Sequence, residues 1–401
     1  MVVSDIVITG IGVISALGHG IEATADRLLR SESGVGKMRY LNTVHTEIPV
    51  AEVPFSDDDL RGMLGIAPDF SITRTSLLGR VALREAVEMS NLKKVDNQRI
   101  AFISGTTVGG MEKSEQFYKD FLENDKRNKY IALHDCGACT DMIAQEYPGH
   151  ITMQTTISTA CSSAANAIIF GADMLLSGRT DLVIAGGTEC LSKFHLDGFN
   201  TLMILDSEPC KPFDKNRHGL NLGEGAAYVV METREHAEHR GIRPICQLSG
   251  YANRCDAYHQ TASSPEGEGA FRAMQAALQS AQLQPSDISY INAHGTGTPN
   301  NDESEGKAMM RVFGDKVPLV SSTKAYTGHP TSAAGAIESV ISILALTRNF
   351  VPANLNFTEK IDSLNFTPVT ETISNIELQH VLCNSFGFGG NDSSCIFSKI
   401  K

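Results

Sequence analysis

The stretch Ile157-Ser158-Thr159-Ala160-Cys161-Ser162-Ser163-Ala164-Ala165 constrains this chain more than any other. Residues 154–157 read as the end of a β-rich run, and residues 161–177 are small or apolar at helical spacing, so Cys161 falls where a strand turns into a helix. A helix N-terminus presents free N–H groups and a partial positive charge. Both favour thiolate over thiol, so a cysteine placed there is a candidate nucleophile. A free cysteine is more often just a buried residue, and this stretch alone leaves that alternative open.

The rest of the chain alternates strands and helices. Apolar runs at 5–10, 99–104 and 181–185 predict buried strands, the last ending at Gly186-Gly187, with helices over 20–31, 74–89 and 114–124 between them. A second round has strands at 288–292, 319–321 and 380–384 and a small-residue helix over 332–346. The two rounds follow the same order, and Ser162-Ser163-Ala164-Ala165-Asn166-Ala167-Ile168 is similar to Thr331-Ser332-Ala333-Ala334-Gly335-Ala336-Ile337. The prediction is an α/β protein of two similar halves, 1–243 and 244–401, with helices between sheets. No low-complexity linker parts them, so they are expected to form one compact unit.

A net charge of −12 argues against nucleic acid or an anionic membrane as the main partner. The nine cysteines are odd in number and scattered, which fits a reducing compartment. The N-terminus opens into a strand pattern without a secretory signal, and no apolar run has membrane-spanning length, so a cytoplasmic protein is expected.

Three loops at strand ends carry reactive groups. Cys161 is the first. His294 lies in Ala293-His294-Gly295-Thr296-Gly297-Thr298-Pro299, and His329 ends Ser322-Thr323-Lys324-Ala325-Tyr326-Thr327-Gly328-His329 just before a helix. The positive end of a helix dipole biases such a histidine towards its neutral form. Two neutral imidazoles, each with one N–H to donate, could hold a developing oxyanion or enolate. Gly387-Phe388-Gly389-Gly390 lacks the spacing of a dinucleotide cradle, but its glycines would let backbone approach a substrate and Phe388 move. Cys136-Gly137-Ala138-Cys139 has redox or metal spacing without a second pair, so no metal is assigned. The basic run Lys126-Arg127-Asn128-Lys129 reads either as a solvated helix end or as a docking patch.

Taken together, these loops resemble the elongating β-ketoacyl-acyl carrier protein synthases, the two-histidine condensing enzymes of the thiolase superfamily. The resemblance runs through Val7–Gly12, Ser158–Ala165, Gly186–Glu189, Pro212–Gly225, Asp256–Thr261, Asn292–Glu305, Ser322–Glu338 and Asn384–Gly390. It implies a thiolase-like α-β-α-β-α layering and a decarboxylative Claisen condensation that extends an acyl chain by two carbons. It also implies roles. Cys161 is the acyl-accepting nucleophile, His294 and His329 assist malonyl decarboxylation, and Lys324 supports them. Glu305 and Asp302 belong to the surrounding polar network. Thr296, Thr298 and Thr261 line the path of the phosphopantetheine arm, Val108 borders the acyl tunnel, and Phe388 gates it. The N–H groups of Cys161 and Phe388 form the oxyanion hole. The implied partners are acyl carrier protein and a second subunit, identical or a related chain-length subunit, with no cofactor beyond the carrier's phosphopantetheine.

The chain departs from the family pattern at Arg217-His218-Gly219, Pro330-Thr331, His134-Asp135-Cys136-Gly137 and Asn391-Asp392, where the family usually has Thr-Asn. These departures set a specialised role, such as polyene or polyketide building, beside the fatty-acid synthesis that the resemblance implies. A thiolase-type acyltransferase shares the fold but would need a second cysteine in the C-terminal glycine loop, where this chain has Phe388. A binding-only chain-length subunit would be expected to lack the nucleophile, and Cys161 is present.

Overall fold

The computed structural model of the chain describes residues 5–92, 98–123 and 129–400. Ten strands form two sets of five. The first comprises β1 (Ile6–Ser15), β2 (Ile100–Gly105), β3 (Met153–Ile157), β4 (Leu182–Glu189) and β5 (Gly225–Thr233). The second comprises β6 (Cys246–Cys255), β7 (Tyr290–Asn292), β8 (Leu319–Ser321), β9 (His380–Gly387) and β10 (Asn391–Ser398). The spatial order is β3-β2-β4-β5-β1 in one and β8-β7-β9-β10-β6 in the other, the same path in each half. In both sets the first three strands of that path are parallel and the last two antiparallel. β1 meets β6 through Val7–Gln247 and Ile8–Cys246, which joins the two sets into one sheet.

Helices cover and separate the sets: α1 (Arg74–Met89), α2 (Ser163–Leu176), α3 (Lys193–Thr201), α4 (Glu268–Ala281), α5 (Pro299–Phe313) and α6 (Ala334–Arg348). α2 and α6 form the middle layer. α6 is buried from Ala334 to Leu346, all round rather than on one face, as a helix between the two strand sets must be. A Cβ on Gly335 would stand 2.8 Å from Ala165 Cβ, so the two central helices touch through their smallest residues. One apolar cluster joins them to both strand sets through Ala167, Ile168, Ile337 and Ile341. α1 packs outside the first set, and α4 with α5 outside the second, which completes the expected five layers.

The structure corrects two sequence readings. The Gly186-Gly187 pair does not end its strand; β4 runs on to Glu189. A Cβ on Gly186 would lie 2.0 Å from the Ala227 carbonyl oxygen and one on Gly187 2.7 Å from Ala164 Cβ. The pair therefore admits a neighbouring strand and the start of α2, rather than making a turn. The antiparallel strands β5, β6 and β10 were not anticipated. β6 alternates buried and half-buried residues, and β10 buries the polar side chains Ser393, Ser394 and Ser398, so neither reads as an apolar run.

The parallel strands set the site. Cys161 follows β3, His294 follows β7 and His329 follows β8, all at carboxyl ends, where open α/β sheets gather their sites.

Candidate active site

Cys161 precedes the first residue of α2 by two positions, with Ser162 as the cap. Ala160 adopts φ 51°, in the left-handed region that a residue with a side chain rarely occupies. Local hydrogen bonds hold this sharp turn. The Thr159 N–H donates to Ser163 Oγ (2.9 Å), whose hydroxyl donates to the Ala160 carbonyl (2.6 Å), and Ser385 Oγ donates to the Cys161 carbonyl (3.2 Å). The sulfur thereby points into a cavity while the residue is only 5% exposed.

His329 Nε2 lies 3.0 Å from Cys161 Sγ. Gly328, at φ 62°, bends the chain before it, and the His329 N–H donates to the Asn221 carbonyl (2.7 Å). The His294 ring stands edge-on to it, with centroids 5.3 Å apart. Glu305 holds the His294 loop by its backbone, accepting from the N–H groups of His294 (2.9 Å) and Gly295 (2.8 Å) and from Asn384 Nδ2 (3.0 Å). Asp302 does the same further along, accepting from the N–H groups of Phe213 (2.7 Å) and Gly297 (3.1 Å). Both carboxylates brace the loop instead of touching the reacting centre.

Lys324 Nζ donates to the His294 carbonyl (2.8 Å), lies 3.4 Å from His294 Nδ1 and pairs with Glu338. Burial, and then the Lys324 ammonium, hold both histidines well below the usual imidazole range. Both are therefore neutral at pH 7. Burial pushes the Cys161 thiol up to about 11, against the opposing pull of Lys324 and of a hydrogen bond from the Phe388 N–H. The expected thiolate is thus not the resting form: desolvation outweighs the nearby positive charge and the Phe388 N–H. A thiol facing a neutral imidazole results, and the proton has a destination 3.0 Å away.

Glu338 was missed in the sequence, although a carboxylate within the apolar run of α6 signals a buried partner. Burial raises it to about 7, with Lys324 opposing. Breaking such a buried pair leaves an uncompensated charge and costs about 3–5 kcal/mol. Lys324→Met is expected to lose that much stability in chemical denaturation, and Lys324→Met with Glu338→Leu to recover most of it. Equal stability of wild type and single variant would contradict the pairing. Glu189 was also missed; it ties the loop after β2 to the turn just before α6 by accepting from Thr106 Oγ1 (2.8 Å), the Thr107 N–H (2.8 Å) and Ser332 Oγ (2.5 Å).

Cys161, His294, His329, Thr296, Thr298, Thr261 and Phe388 share one cavity of about 310 Å³. Thr296 Oγ1 and Thr298 Oγ1 are 2.9 Å apart, and the Phe388 ring stacks on Phe199 with centroids 5.9 Å apart. Val108 is buried but does not line this cavity; its loop packs against the segment from His134 to Cys136. Of the departures, His218 is exposed on the surface, whereas Arg217 donates to the carbonyls of Asp214 (2.9 Å) and Pro299 (2.6 Å) and so secures the threonine loop. Asn391 Oδ1 accepts from Ser162 Oγ (2.9 Å), Asn166 Nδ2 (2.7 Å) and Asn253 Nδ2 (2.6 Å), which fastens the glycine hairpin to the start of α2.

A duplicated α/β fold with a thiol, two neutral imidazoles and a backbone N–H converging on one cavity defines a cysteine–histidine acyltransferase class. The β-ketoacyl synthase N-terminal domain matches residues 3–237 and the β-ketoacyl synthase C-terminal domain residues 245–358; the chain belongs to this family. It is 31% identical to a 3-oxoacyl-[acyl-carrier-protein] synthase 2 of Vibrio harveyi, over 98% of each chain. Among solved structures it is similar to the ishigamide ketosynthase/chain length factor (TM-score 0.91, 28% identity, 99% of this chain and 100% of that one). It is also similar to a ketosynthase in complex with its chain length factor from Xenorhabdus doucetiae (TM-score 0.85, 28% identity, 99% and 98%).

Proposed function

We propose that the protein condenses a cysteine-bound acyl group with a malonyl group carried on acyl carrier protein, lengthening the chain by two carbons. The observation that carries this reading is the 3.0 Å approach of His329 Nε2 to Cys161 Sγ beside a second neutral imidazole. In the first half-reaction the sulfur attacks the acyl thioester while its proton passes to His329. The oxyanion accepts from the N–H groups of Cys161 and Phe388, and the departing carrier thiol takes the proton. In the second, the bond to the malonyl carboxylate breaks, CO₂ leaves, and its electron pair forms an enolate that accepts from His294 and from His329 in the tautomer that carries its proton on Nε2. The enolate carbon then attacks the acyl carbon, and Cys161 leaves as a thiolate that takes one proton from solvent. Thr296, Thr298 and Thr261 hold the phosphopantetheine arm, and Lys324, Glu338, Glu305 and Asp302 fix the histidine loops.

Acyl carrier protein is the substrate-bearing partner in this reading, which the name of the Vibrio relative supports. The ketosynthase of Xenorhabdus doucetiae sits with a chain length factor, so the second subunit here is a related chain or an identical one. We place the protein in the cytoplasm: all nine cysteines are free, and among the described residues no helix is long and apolar enough to cross a membrane. Lys126 and Arg127, the proposed docking residues, lie outside the described residues; Lys129 beside them places its ammonium over the Tyr130 ring. The test of the reading is incubation with acyl- and malonyl-carrier protein. Release of CO₂ with a β-ketoacyl product is expected, and thioester hydrolysis alone would overturn it.

Val108 is proposed to border the acyl tunnel beyond the cavity. Val108→Phe adds bulk to a packed wall, at about 1–3 kcal/mol for overpacking. The loss is expected to fall on long acyl chains and spare short ones in a chain-length series; equal loss across the series would place Val108 away from the tunnel.

A further inference from the structure

The cavity holds one carboxyl group that the cycle above does not use. Asp392 lines it at the start of β10, is 6% exposed, and its side chain makes no hydrogen bond among the described residues. Its Oδ2 sits where a Cβ on Gly269 would be, 1.9 Å away, so only a glycine at that position of α4 leaves it room. The carboxyl cannot find a donor in Asp256 beside it, whose oxygens already accept from the N–H groups of Ser264 (2.7 Å) and Gly269 (3.1 Å). Glu305 on α5 is likewise filled by three donors. Arg254, opposite Asp392 in the strand pair, donates to the Asn253 carbonyl instead. Glu268, also at the start of α4, is paired with Arg272 and Arg311. The charged neighbours of Asp392 thus supply repulsion and no free donor. A buried carboxyl group so placed is stable as the neutral acid, with an O–H that no acceptor among the described residues takes up, at the wall of the cavity.

We propose that Asp392 is a specificity residue for the extender: as the neutral acid it donates a hydrogen bond to the malonyl carboxylate, and as an anion it excludes that carboxylate from the cavity. This rests on the malonyl reading of the site. Two carboxylates meeting in a desolvated cavity repel strongly, whereas acid and carboxylate share a proton as a short, charge-assisted hydrogen bond. An acyl thioester without a free carboxylate makes no such demand, so the residue distinguishes the two half-reactions. It takes no part in bond breaking; its proton stays on the carboxyl while CO₂ departs.

The consequence is a pH dependence confined to the malonyl step. Burial first, then Asp256 and Glu305, push the carboxyl up to about 8. A group raised in this way is protonated below that pH and ionised above it, so malonyl use falls as pH rises through it, about tenfold per unit once ionised. Asn, the residue usual in the family, keeps a donor and cannot ionise.

The experiment measures single-turnover CO₂ release from malonyl-carrier protein and acylation of Cys161 by acyl-carrier protein, each from pH 6.5 to pH 9.5, for wild type and Asp392→Asn. The expected result is an alkaline fall of about tenfold or more in wild-type CO₂ release, absent in the variant, with acylation showing no such fall in either. A persisting alkaline fall in a folded Asp392→Asn, or a flat wild-type profile, would overturn the proposal. Asp392→Ser, smaller and also non-ionising, is expected to remove the fall as well, and covers the case in which Asn does not fold. Wild-type enzyme that releases no CO₂ at any pH would overturn the malonyl reading itself, and this inference with it.

Discussion

Replacing Cys161 with alanine is expected to abolish both acyl-enzyme formation and condensation while leaving the fold in place. Among the described residues that line the cavity, the sulfur is the group that combines nucleophilicity with a base 3.0 Å away. The residue is small, and the turn that carries it is held by Ser163 and Ser385 rather than by the thiol. The stability change should therefore stay within roughly 1–2 kcal/mol. Product analysis with acyl- and malonyl-carrier protein, beside a thermal melt, checks both parts. Condensation at the wild-type rate in a folded variant would remove Cys161 from the mechanism.

The second large effect separates the two histidines. Removing one donor to a developing enolate is expected to cost on the order of 10²–10³ in rate. Both His294→Ala and His329→Ala should lose CO₂ release to that extent. Their acylation rates should differ, however, because only His329 lies against the sulfur, while His294 is turned towards Lys324. His294→Ala is expected to keep acylating Cys161, and His329→Ala to lose part of that step as well. CO₂ release and acylation scored side by side decide it. Acylation lost equally in both variants would contradict the division of labour.

Much of this arrangement can be read in the sequence. The loops of His294 and His329 carry glycines that announce a tight path after short, largely buried strands, whereas Cys161 stands out by the run of small residues that follows it, since β3 before it (Met153–Ile157) is polar and partly exposed. What escapes is set by contacts distant in the chain. Glu338 is intelligible only once α6 is seen to lie against Lys324, 14 residues away. Glu189 is intelligible only once the end of β4 meets Ser332, 143 residues away. β10 is hidden because its serines look solvated, yet Ser393 donates to Asn166 and Ser394 to Asn384 in the interior. The thiolate expectation fails for the same reason. A helix N-terminus can be seen in a sequence, but the desolvation of the sulfur depends on Phe388 and the histidine loops closing over it.

That Cys161 carries the growing chain is checked by intact-protein mass spectrometry after incubation with an acyl-carrier protein. One added acyl mass per chain is expected, located by peptide mapping to the segment containing Cys161 and absent from Cys161→Ala. An unmodified wild-type protein, or an adduct on any of the other eight cysteines, would contradict it.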